Sequence, residues 1–243
     1  MIERINSLPR FDGLPPYSVP YARIAASVAA YGEKAELYVQ KNNGKVTALM
    51  GGVTIGGLSL CMSDLADTDE LKSFFELFGC NVFCSENDAY DFDVKKETVT
   101  LVRFCGETAG SVSHGRIRDL YGKLCFGVDG DIELPDFDEF YTDICIRFNH
   151  LTAEYSISEN SAAVCGFMTQ NVSLVTGVAV NKKCRNGGEG RAALMSLISA
   201  VRQKCPDTEI FAAVRENNIG FYEKCGVERN GYAAVLNFKE CEL

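Results

Sequence analysis

A glycine-rich loop carries the clearest chemical signal in this sequence of 243 residues. Residues 185–191 read Arg-Asn-Gly-Gly-Glu-Gly-Arg. If a helix begins at this loop, its first N–H groups have no partner inside the helix and lie at the positive end of its dipole. Glycines let a ligand approach the backbone without a Cβ in the way. The loop therefore predicts a site for phosphate oxygens on a helix N-terminus, although glycines alone would also suit an ordinary strand-to-helix turn.

The hydrophobic pattern indicates the two elements that position this loop. β-Branched and apolar residues from Val172 to Val180 predict a strand before it. Apolar residues then recur at i, i+3, i+4 and i+7, which predicts a helix ending before Pro206: Leu194, Leu197, Ile198 and Val201. No Gly-Lys-Ser/Thr follows, as in a nucleoside triphosphate loop, and the glycine spacing differs from the dinucleotide-binding fingerprint. The loop therefore predicts a different phosphate-bearing ligand.

A second segment narrows the choice of ligand. Residues 217–227 read Asn-Asn-Ile-Gly-Phe-Tyr-Glu-Lys-Cys-Gly-Val, and the apolar run Glu209–Val214 before them predicts a strand. The Arg-x-x-Gly-x-Gly loop resembles the acetyl-CoA pyrophosphate loop of the GCN5-related N-acetyltransferase (GNAT) family. The downstream segment resembles that family's Asn-x-x-Phe-Tyr-Glu-Lys-x-Gly-Phe element. Val227 departs from the pattern, because Phe is usual after the glycine.

The resemblance implies a fold, a cosubstrate and a set of binding residues. The fold would be the acyl-CoA N-acyltransferase fold, an α/β fold of the α+β type with a mixed, mostly antiparallel twisted sheet flanked by helices. Acetyl-CoA would bind by its pyrophosphate to the loop residues Arg185, Asn186, Gly187, Gly188, Glu189, Gly190 and Arg191. Its pantetheine arm would pair with backbone groups of Val178 and Val180 like an added strand. Asn218 would contact pantetheine, cap the next helix, or do both.

The resemblance also implies a general acid but no general base. Tyr222 stands at the family's general-acid position, and a phenol can protonate a departing thiolate. Its alternative role is that of a buried aromatic residue with its hydroxyl bound to the backbone. Some family members carry Glu six residues before the position of Val180, where this chain has Leu174. A base must then come from elsewhere or from water, and Glu154 and Glu159 are the candidates in the sequence.

An internal repeat predicts two related halves. Residues 35–50 and 153–168 both read as a β-hairpin, 118 residues apart. In the first copy, residues 67–70 read Asp-Thr-Asp-Glu where the second copy has its glycine loop. Carboxylates suit an unoccupied helix N-terminus and would repel a pyrophosphate. We therefore expect residues 1–105 to form a degenerate GNAT-like domain without a cofactor site, and residues 106–243 to form the catalytic GNAT domain.

Composition excludes several classes of protein. Hydrophobic residues make up 47% and charged residues 23%, as in folded globular proteins. No apolar run is long enough to span a membrane and no signal peptide is evident, so we expect a cytoplasmic protein. A net charge of -9 argues against nucleic acid and anionic membranes as partners. Eleven widely spaced cysteines without a secretion signal predict reduced thiols, and none forms a metal-binding pattern.

These observations predict an acetyl-CoA-dependent N-acetyltransferase that acts by direct transfer to a primary amine of a small molecule or peptide. Cys184 and Cys225 lie beside the motifs and would suit a covalent intermediate, but the family generally transfers directly. The missing carboxylate at Leu174 motivates an alternative, a CoA-binding regulatory or interaction protein of the same fold without transferase activity. A third reading, an aminoacyl transferase that uses charged tRNA, is disfavoured by the acidic charge. A homodimer is compatible with all three.

Overall fold

The computed structural model describes residues 1–9, 18–52, 57–105, 115–125 and 135–238. The chain divides into two compact units. The first comprises Met1–Val102, Ala213–Ile219 and Arg229–Leu243, and the second comprises Arg103–Ala212 and Gly220–Glu228. This division differs from the sequence-based one, which separates residues 1–105 from 106–243. The difference arises because the last strand of the chain joins the sheet of the first unit.

The helices and strands alternate along the chain. The α-helices are α1 (Val19–Tyr31), α2 (Thr68–Phe78), α3 (Glu86–Ala89), α4 (Ile117–Leu124), α5 (Phe137–Asn149), α6 (Glu189–Lys204) and α7 (Ile219–Glu223). The strands are β1 (Ile2–Arg4), β2 (Glu36–Asn42), β3 (Lys45–Gly52), β4 (Leu58–Met62), β5 (Asn81–Ser85), β6 (Lys96–Phe104), β7 (Glu154–Ile157), β8 (Ser161–Met168), β9 (Val172–Val180), β10 (Glu209–Val214) and β11 (Val227–Asn237). Short 3-10 turns at Gly32–Lys34, Lys182–Cys184 and Glu216–Asn218 lie between them.

The strands of the first unit follow the order β1-β2-β3-β4-β5-β11-β6. All the pairings described for it are antiparallel except β4 with β5, which is parallel. The β2–β3 turn places Asn43 and Gly44 at φ values of 50° and 77°, the left-handed geometry of a tight hairpin turn. β11 pairs with β5 from Ala233 to Asn237. The hydrophobic core of this unit consists of buried apolar residues, which include Leu60, Leu71, Phe75, Phe92 and Phe238.

The strands of the second unit follow the order β10-β9-β8-β7. β7, β8 and β9 are antiparallel, and β10 lies parallel to β9. Helices α4 and α6 each contact β7, β8 and β9, and α5 packs against α4. An apolar cluster fills the space between α4, α5 and the hairpin, and it includes Leu120, Ile144, Tyr155 and Ile157.

The two units repeat one order of elements. In each, a helix precedes three antiparallel strands, a second helix leads to a parallel strand, and a short helix leads to a further strand. This confirms the predicted repeat and the predicted class of mixed, mostly antiparallel sheet flanked by helices. Among the described residues, no helix is long and apolar enough to cross a membrane. The same residues contain no cluster of three or more His, Cys, Asp or Glu side chains able to hold a metal ion, and their cysteines are free thiols.

Candidate active site

Strands β9 and β10 pair over only part of their length. Their parallel pairing ends at Val175 and Ala212, whereas β9 continues to Val180. β8, on the other side of β9, stays paired with it as far as Val180. The last residues of β9 therefore have a paired edge and an edge that β10 leaves open within this unit. An open strand edge presents N–H and C=O groups to any extended ligand.

A β-bulge marks the point where β9 leaves β10. Val164 of β8 lies opposite Gly177, but the next residue, Cys165, lies opposite Val175, so Thr176 is an extra residue in β9. Gly166 is then the extra residue in β8, and a Cβ on it would stand 2.7 Å from the Thr176 hydroxyl oxygen. Bulges bend the strand that carries them. The bulge therefore accounts for the divergence of the two strands.

The alternation of backbone hydrogen bonds along β9 shows which of its N–H and C=O groups face the open edge. Asn181 donates its N–H to the carbonyl of Asn160, with 2.9 Å between N and O. In an antiparallel pair the backbone groups of alternate residues face the partner strand. Those of Val178 and Val180 therefore point away from β8, toward the open edge. Arg185 Nε donates to the Val180 carbonyl at 3.5 Å, in agreement with this direction.

Helix α6 begins without a side-chain cap. Its N-cap is Gly188, at φ 87°, and the preceding loop holds Asn186 at φ 68°. Ala192 is the first residue to donate its N–H back into the helix, to Gly188 O at 3.0 Å. The N–H groups of residues 189–191 thus have no partner inside the helix, and none is found elsewhere in the described part of the chain. Unpaired N–H groups at the start of a helix can bind an anion, and these lie in the loop for which the sequence predicts such a site.

The start of α6 is held tightly against its neighbours. Ser161 Oγ donates to the carbonyl of Glu189 at 3.3 Å, and Ser158 Oγ to its carboxylate at 3.4 Å. A Cβ on Gly190 would stand 3.0 Å from Val180 Cγ2 and 3.2 Å from the Phe221 ring. Glycine at 190 therefore lets the helix, the end of β9 and the ring of Phe221 meet. Residues that the sequence separates into two motifs lie side by side here.

The matching helix of the first unit, unlike α6, has a side-chain cap. Asp67 caps α2 by accepting the N–H of Glu70 at 3.0 Å. The buried Gln40 accepts the N–H of Asp67 at 2.9 Å and donates to its carbonyl. The N–H of Ala66 is bound to Ser63 O. Of the three N–H groups that correspond to those left open in α6, the chain therefore binds that of Glu70, and it also binds those of Asp67 and Ala66 in the preceding loop.

A carboxylate lies near the open edge of β4. β4 pairs with β5 at Leu58 and Ser59 and then continues to Met62. The carboxylate of Asp88, in α3, lies near the backbone N–H of Met62. Burial raises the pKa of Asp88 to about 6, and the nearby donors at Ser85 and Met62 oppose that rise.

Tyr222 lies in α7 between two aromatic rings. Its ring centroid is 5.0 Å from that of Phe221 and 6.2 Å from that of Phe104, both in edge-on geometry. Burial raises the pKa of Tyr222 to about 12, with a smaller contribution from Cys225. No hydrogen bond to its hydroxyl is found among the described residues. The alternative in which the backbone holds this hydroxyl is therefore not observed there.

Comparisons with known proteins agree with this geometry. Residues 117–227 match the model of the acetyltransferase (GNAT) family. This segment belongs to the GNAT family. It contains the bulged strand, the uncapped helix and Tyr222, and it begins with α4. The family expected from the two motifs is thus confirmed, and membership in it supports an acyltransferase-type function. A search with the sequence found no match among curated proteins.

The GNAT fold extends over both units. An acetyltransferase of the GNAT family from Colwellia psychrerythraea superposes with a TM-score of 0.53 at 13% identity, covering 98% of this chain and 100% of its own. A GCN5-related N-acetyltransferase from Sphaerobacter thermophilus gives 0.52 at 11% identity, with 85% and 81% covered. One from Kribbella flavida gives 0.53 at 12% identity, with 79% and 86% covered. At such identities the likeness concerns the fold.

Other residues singled out in the sequence lie in varied surroundings. Asn218 is the exposed last residue of a 3-10 turn, and no hydrogen bond of its side chain is found in the described part of the chain. Leu174 is buried and paired with Phe211. Glu154 is fully buried, with a carboxylate oxygen 2.6 Å from Lys204 Nζ. That ion pair suits a structural role better than proton abstraction.

The two cysteines beside the motifs differ in exposure. Cys225 is buried, and burial raises the pKa of its thiol, an effect that nearby Arg191 opposes. A thiol with a raised pKa is a weak nucleophile. Cys184 is half-buried at the end of the 3-10 turn before the loop.

The sequence analysis did not identify Phe104 as a residue near Tyr222. Phe104 lies in a strand far from either motif, and only its ring contact with Tyr222 reveals it.

Proposed function

We propose that this protein is an acetyl-CoA-dependent N-acetyltransferase that moves the acetyl group directly to a primary amine of a small molecule or peptide. The observation that carries the proposal is the uncapped start of α6 next to the open edge of β9. A pyrophosphate needs several unpaired donors at one point, and a pantetheine arm needs an extended backbone edge beside them. Both features lie within the GNAT segment.

The loop and β9 would hold the cosubstrate. The amides of residues 189–191 would bind the pyrophosphate, with Asn186, Gly187 and Gly188 shaping the approach. Arg185 and Arg191 add positive charge in a chain whose net charge is -9. Val178 and Val180 would pair with the pantetheine arm through their backbone. Asn218 remains a proposed pantetheine contact on the resemblance alone.

Tyr222 would act as the general acid. Acetyl-CoA supplies an activated acetyl thioester, and its departing thiolate must take up a proton. The Tyr222 phenol is protonated through the neutral range, so it has a proton to give to such a thiolate, and its raised pKa makes it a weaker acid than a phenol in water. With Leu174 in place of a carboxylate, the amine would lose its proton to water. The raised pKa of Cys225 supports direct transfer over a covalent route.

The first unit would bind no acetyl-CoA. The N–H groups of Asp67 and Glu70 are bound to the chain's own side chains, and the first turn of α2 carries Asp69 and Glu70. These carboxylates would repel a phosphate. The unit would instead shape the acceptor site or mediate dimerisation. Because the whole chain is acidic, we propose neither nucleic acid nor anionic membranes as partners. A cytoplasmic location stays a prediction.

Calorimetric titration with acetyl-CoA tests the binding site. A Cβ at Gly188 meets no atom within 4 Å, so Gly188→Asp places a carboxylate at the amides without a clash. Gly188→Asn is the matched control, because it has the same shape, tolerates positive φ and carries no charge. We expect one equivalent to bind the parent protein and Gly188→Asn, and at least tenfold weaker binding, ~1.4 kcal/mol, to a folded Gly188→Asp. Equal affinity of the two variants for acetyl-CoA would show that the loop does not bind the pyrophosphate.

A second candidate function is supported by the absence of a carboxylate at Leu174. The chain would then be a CoA-binding regulatory or interaction protein that has kept the fold without transfer. A panel of primary amines separates the two functions. Turnover that falls ~100-fold in Tyr222→Phe, with acetyl-CoA affinity unchanged, supports the enzyme. Tight binding with no turnover on any amine supports the second candidate.

A further inference from the structure

We infer that Phe104 is a positioning residue for Tyr222, whose phenol the proposed reaction uses as its acid. The inference rests on the proposed function for its effect on turnover. Phe104 is the last residue of β6 and is 6% exposed. Neither motif of the GNAT resemblance contains it. Its ring lies edge-on to that of Tyr222, with 6.2 Å between centroids and an interplanar angle of 62°.

Ring packing is what orients the Tyr222 side chain. The side chain is half-buried, and no hydrogen bond between its hydroxyl and another group of the chain is found among the described residues. Phe221 packs edge-on against the Tyr222 ring, at 5.0 Å and 81°. Phe221 precedes Tyr222 in the same short helix, so it moves with it. Phe104, from a separate strand, is therefore a ring contact that ties Tyr222 to a part of the unit outside its own helix.

Polar contacts hold the end of β6 in place. Arg103 lies 3.0 Å from a carboxylate oxygen of Glu209 and 3.3 Å from one of Glu228. Arg202 donates to the carbonyl of Phe104 at 3.3 Å. Exposed ion pairs of this kind contribute little stability. Together, however, they connect the residues around Phe104 to β10, to α6 and to the segment that follows α7.

Phe104→Leu tests the inference, because it keeps an apolar side chain and removes the ring contact. We expect kcat to fall about tenfold with the KM for acetyl-CoA unchanged. Phe92→Leu is the matched control. Phe92 is a comparably buried ring (3% exposed) in the core of the first unit, so its loss should lower stability without changing kcat. Phe104→Tyr, which keeps the ring, should restore most of the rate.

A double-mutant comparison separates positioning from a general loss of packing. If Phe104 acts through Tyr222, then Phe104→Leu has no further effect on kcat in a Tyr222→Phe background. An equal loss of rate in both backgrounds would overturn the inference. So would a loss in Phe92→Leu as large as that in Phe104→Leu.

A spectroscopic titration tests the contact without any turnover. The tyrosinate absorbance of Phe104→Leu, minus that of Phe104→Leu combined with Tyr222→Phe, reports the ionisation of Tyr222. We expect its pKa to fall from about 12 toward its usual value near 10 as water reaches the ring. An unchanged pKa in the folded variant would refute the contact. If the pKa falls but Tyr222→Phe leaves kcat intact, the positioning holds and the proposed acid role fails.

Discussion

Replacing Gly190 by Ala should disturb the candidate site through a single methyl group. The added Cβ would stand 3.0 Å from Val180 Cγ2, and 3.2 Å and 3.4 Å from two atoms of the Phe221 ring. Carbon atoms in good contact lie about 3.5–4.0 Å apart, so the strand, the ring or the helix must move by several tenths of an ångström. Each of these elements contributes to the candidate site.

The size of the effect follows from two opposing terms. Forcing a methyl group into a packed region costs about 1–3 kcal/mol. Replacing glycine by alanine in a helix stabilises by up to about 1 kcal/mol, and less in the first turn. A Cβ added to Gly122, in α4, would meet no atom within 4 Å, and this glycine has no positive φ, so Gly122→Ala measures the second term alone. The stability difference between the two variants should therefore be about 1–3 kcal/mol.

Thermal unfolding and calorimetry would measure the two consequences. In a domain of this size each kcal/mol lowers the midpoint by about 2–4 °C. We expect Gly190→Ala to unfold at a lower temperature than Gly122→Ala, and to bind acetyl-CoA several-fold more weakly because Val180 is displaced. If both variants have equal midpoints and parental affinity for acetyl-CoA, the close approach of α6 to Val180 and Phe221 is not as described.

Three further changes probe other parts of the molecule. Asp88 binds its proton more tightly in the folded state, with a pKa of about 6, so its contribution to stability grows as the pH falls from about 6 to 4. The free energy of unfolding of Asp88→Asn, relative to that of the parent, should therefore rise by about 2 kcal/mol between pH 4.5 and 7.5, a figure that allows for the partial exposure of Asp88. A difference in urea unfolding that does not change with pH would contradict this. Gly44→Ala should lower the free energy of unfolding by about 1 kcal/mol because φ at this position is 77°, although a Cβ there meets no atom within 4 Å. Gly122→Ala, which has no positive φ, should lower it by nothing. Glu154→Gln should cost about 2–4 kcal/mol by leaving Lys204 without its buried partner, and adding Lys204→Met should recover part of that loss.

The parts of the site that are contiguous in the chain could be predicted from sequence. The strand, loop and helix around residues 185–191 occur as expected, and α6 ends at Lys204, just before Pro206. The strand expected at Glu209–Val214 has those bounds in the structure. Such features depend on periodicity, glycine and proline, whose effects act over a few residues.

The domain boundary could not be predicted in the same way. The sequence division at residues 105 and 106 treats the chain as two consecutive pieces, whereas β11 pairs with β5 in the first unit. A strand edge accepts any segment with a suitable apolar pattern, and nothing local to β11 distinguishes one sheet from another. The same reasoning applies to Phe104, whose sequence neighbourhood is that of an ordinary strand.

The sequence by itself determined the family of residues 117–227, the repeat, and the loop whose amides are free to bind an anion. These depend on residue types at fixed short spacings. The tertiary structure decided where β9 leaves β10, which backbone groups face the open edge, which amides of the first unit are already bound, and which ring lies against Tyr222. Each of these depends on segments distant in the chain meeting in one register, and register is set by packing across the whole sheet.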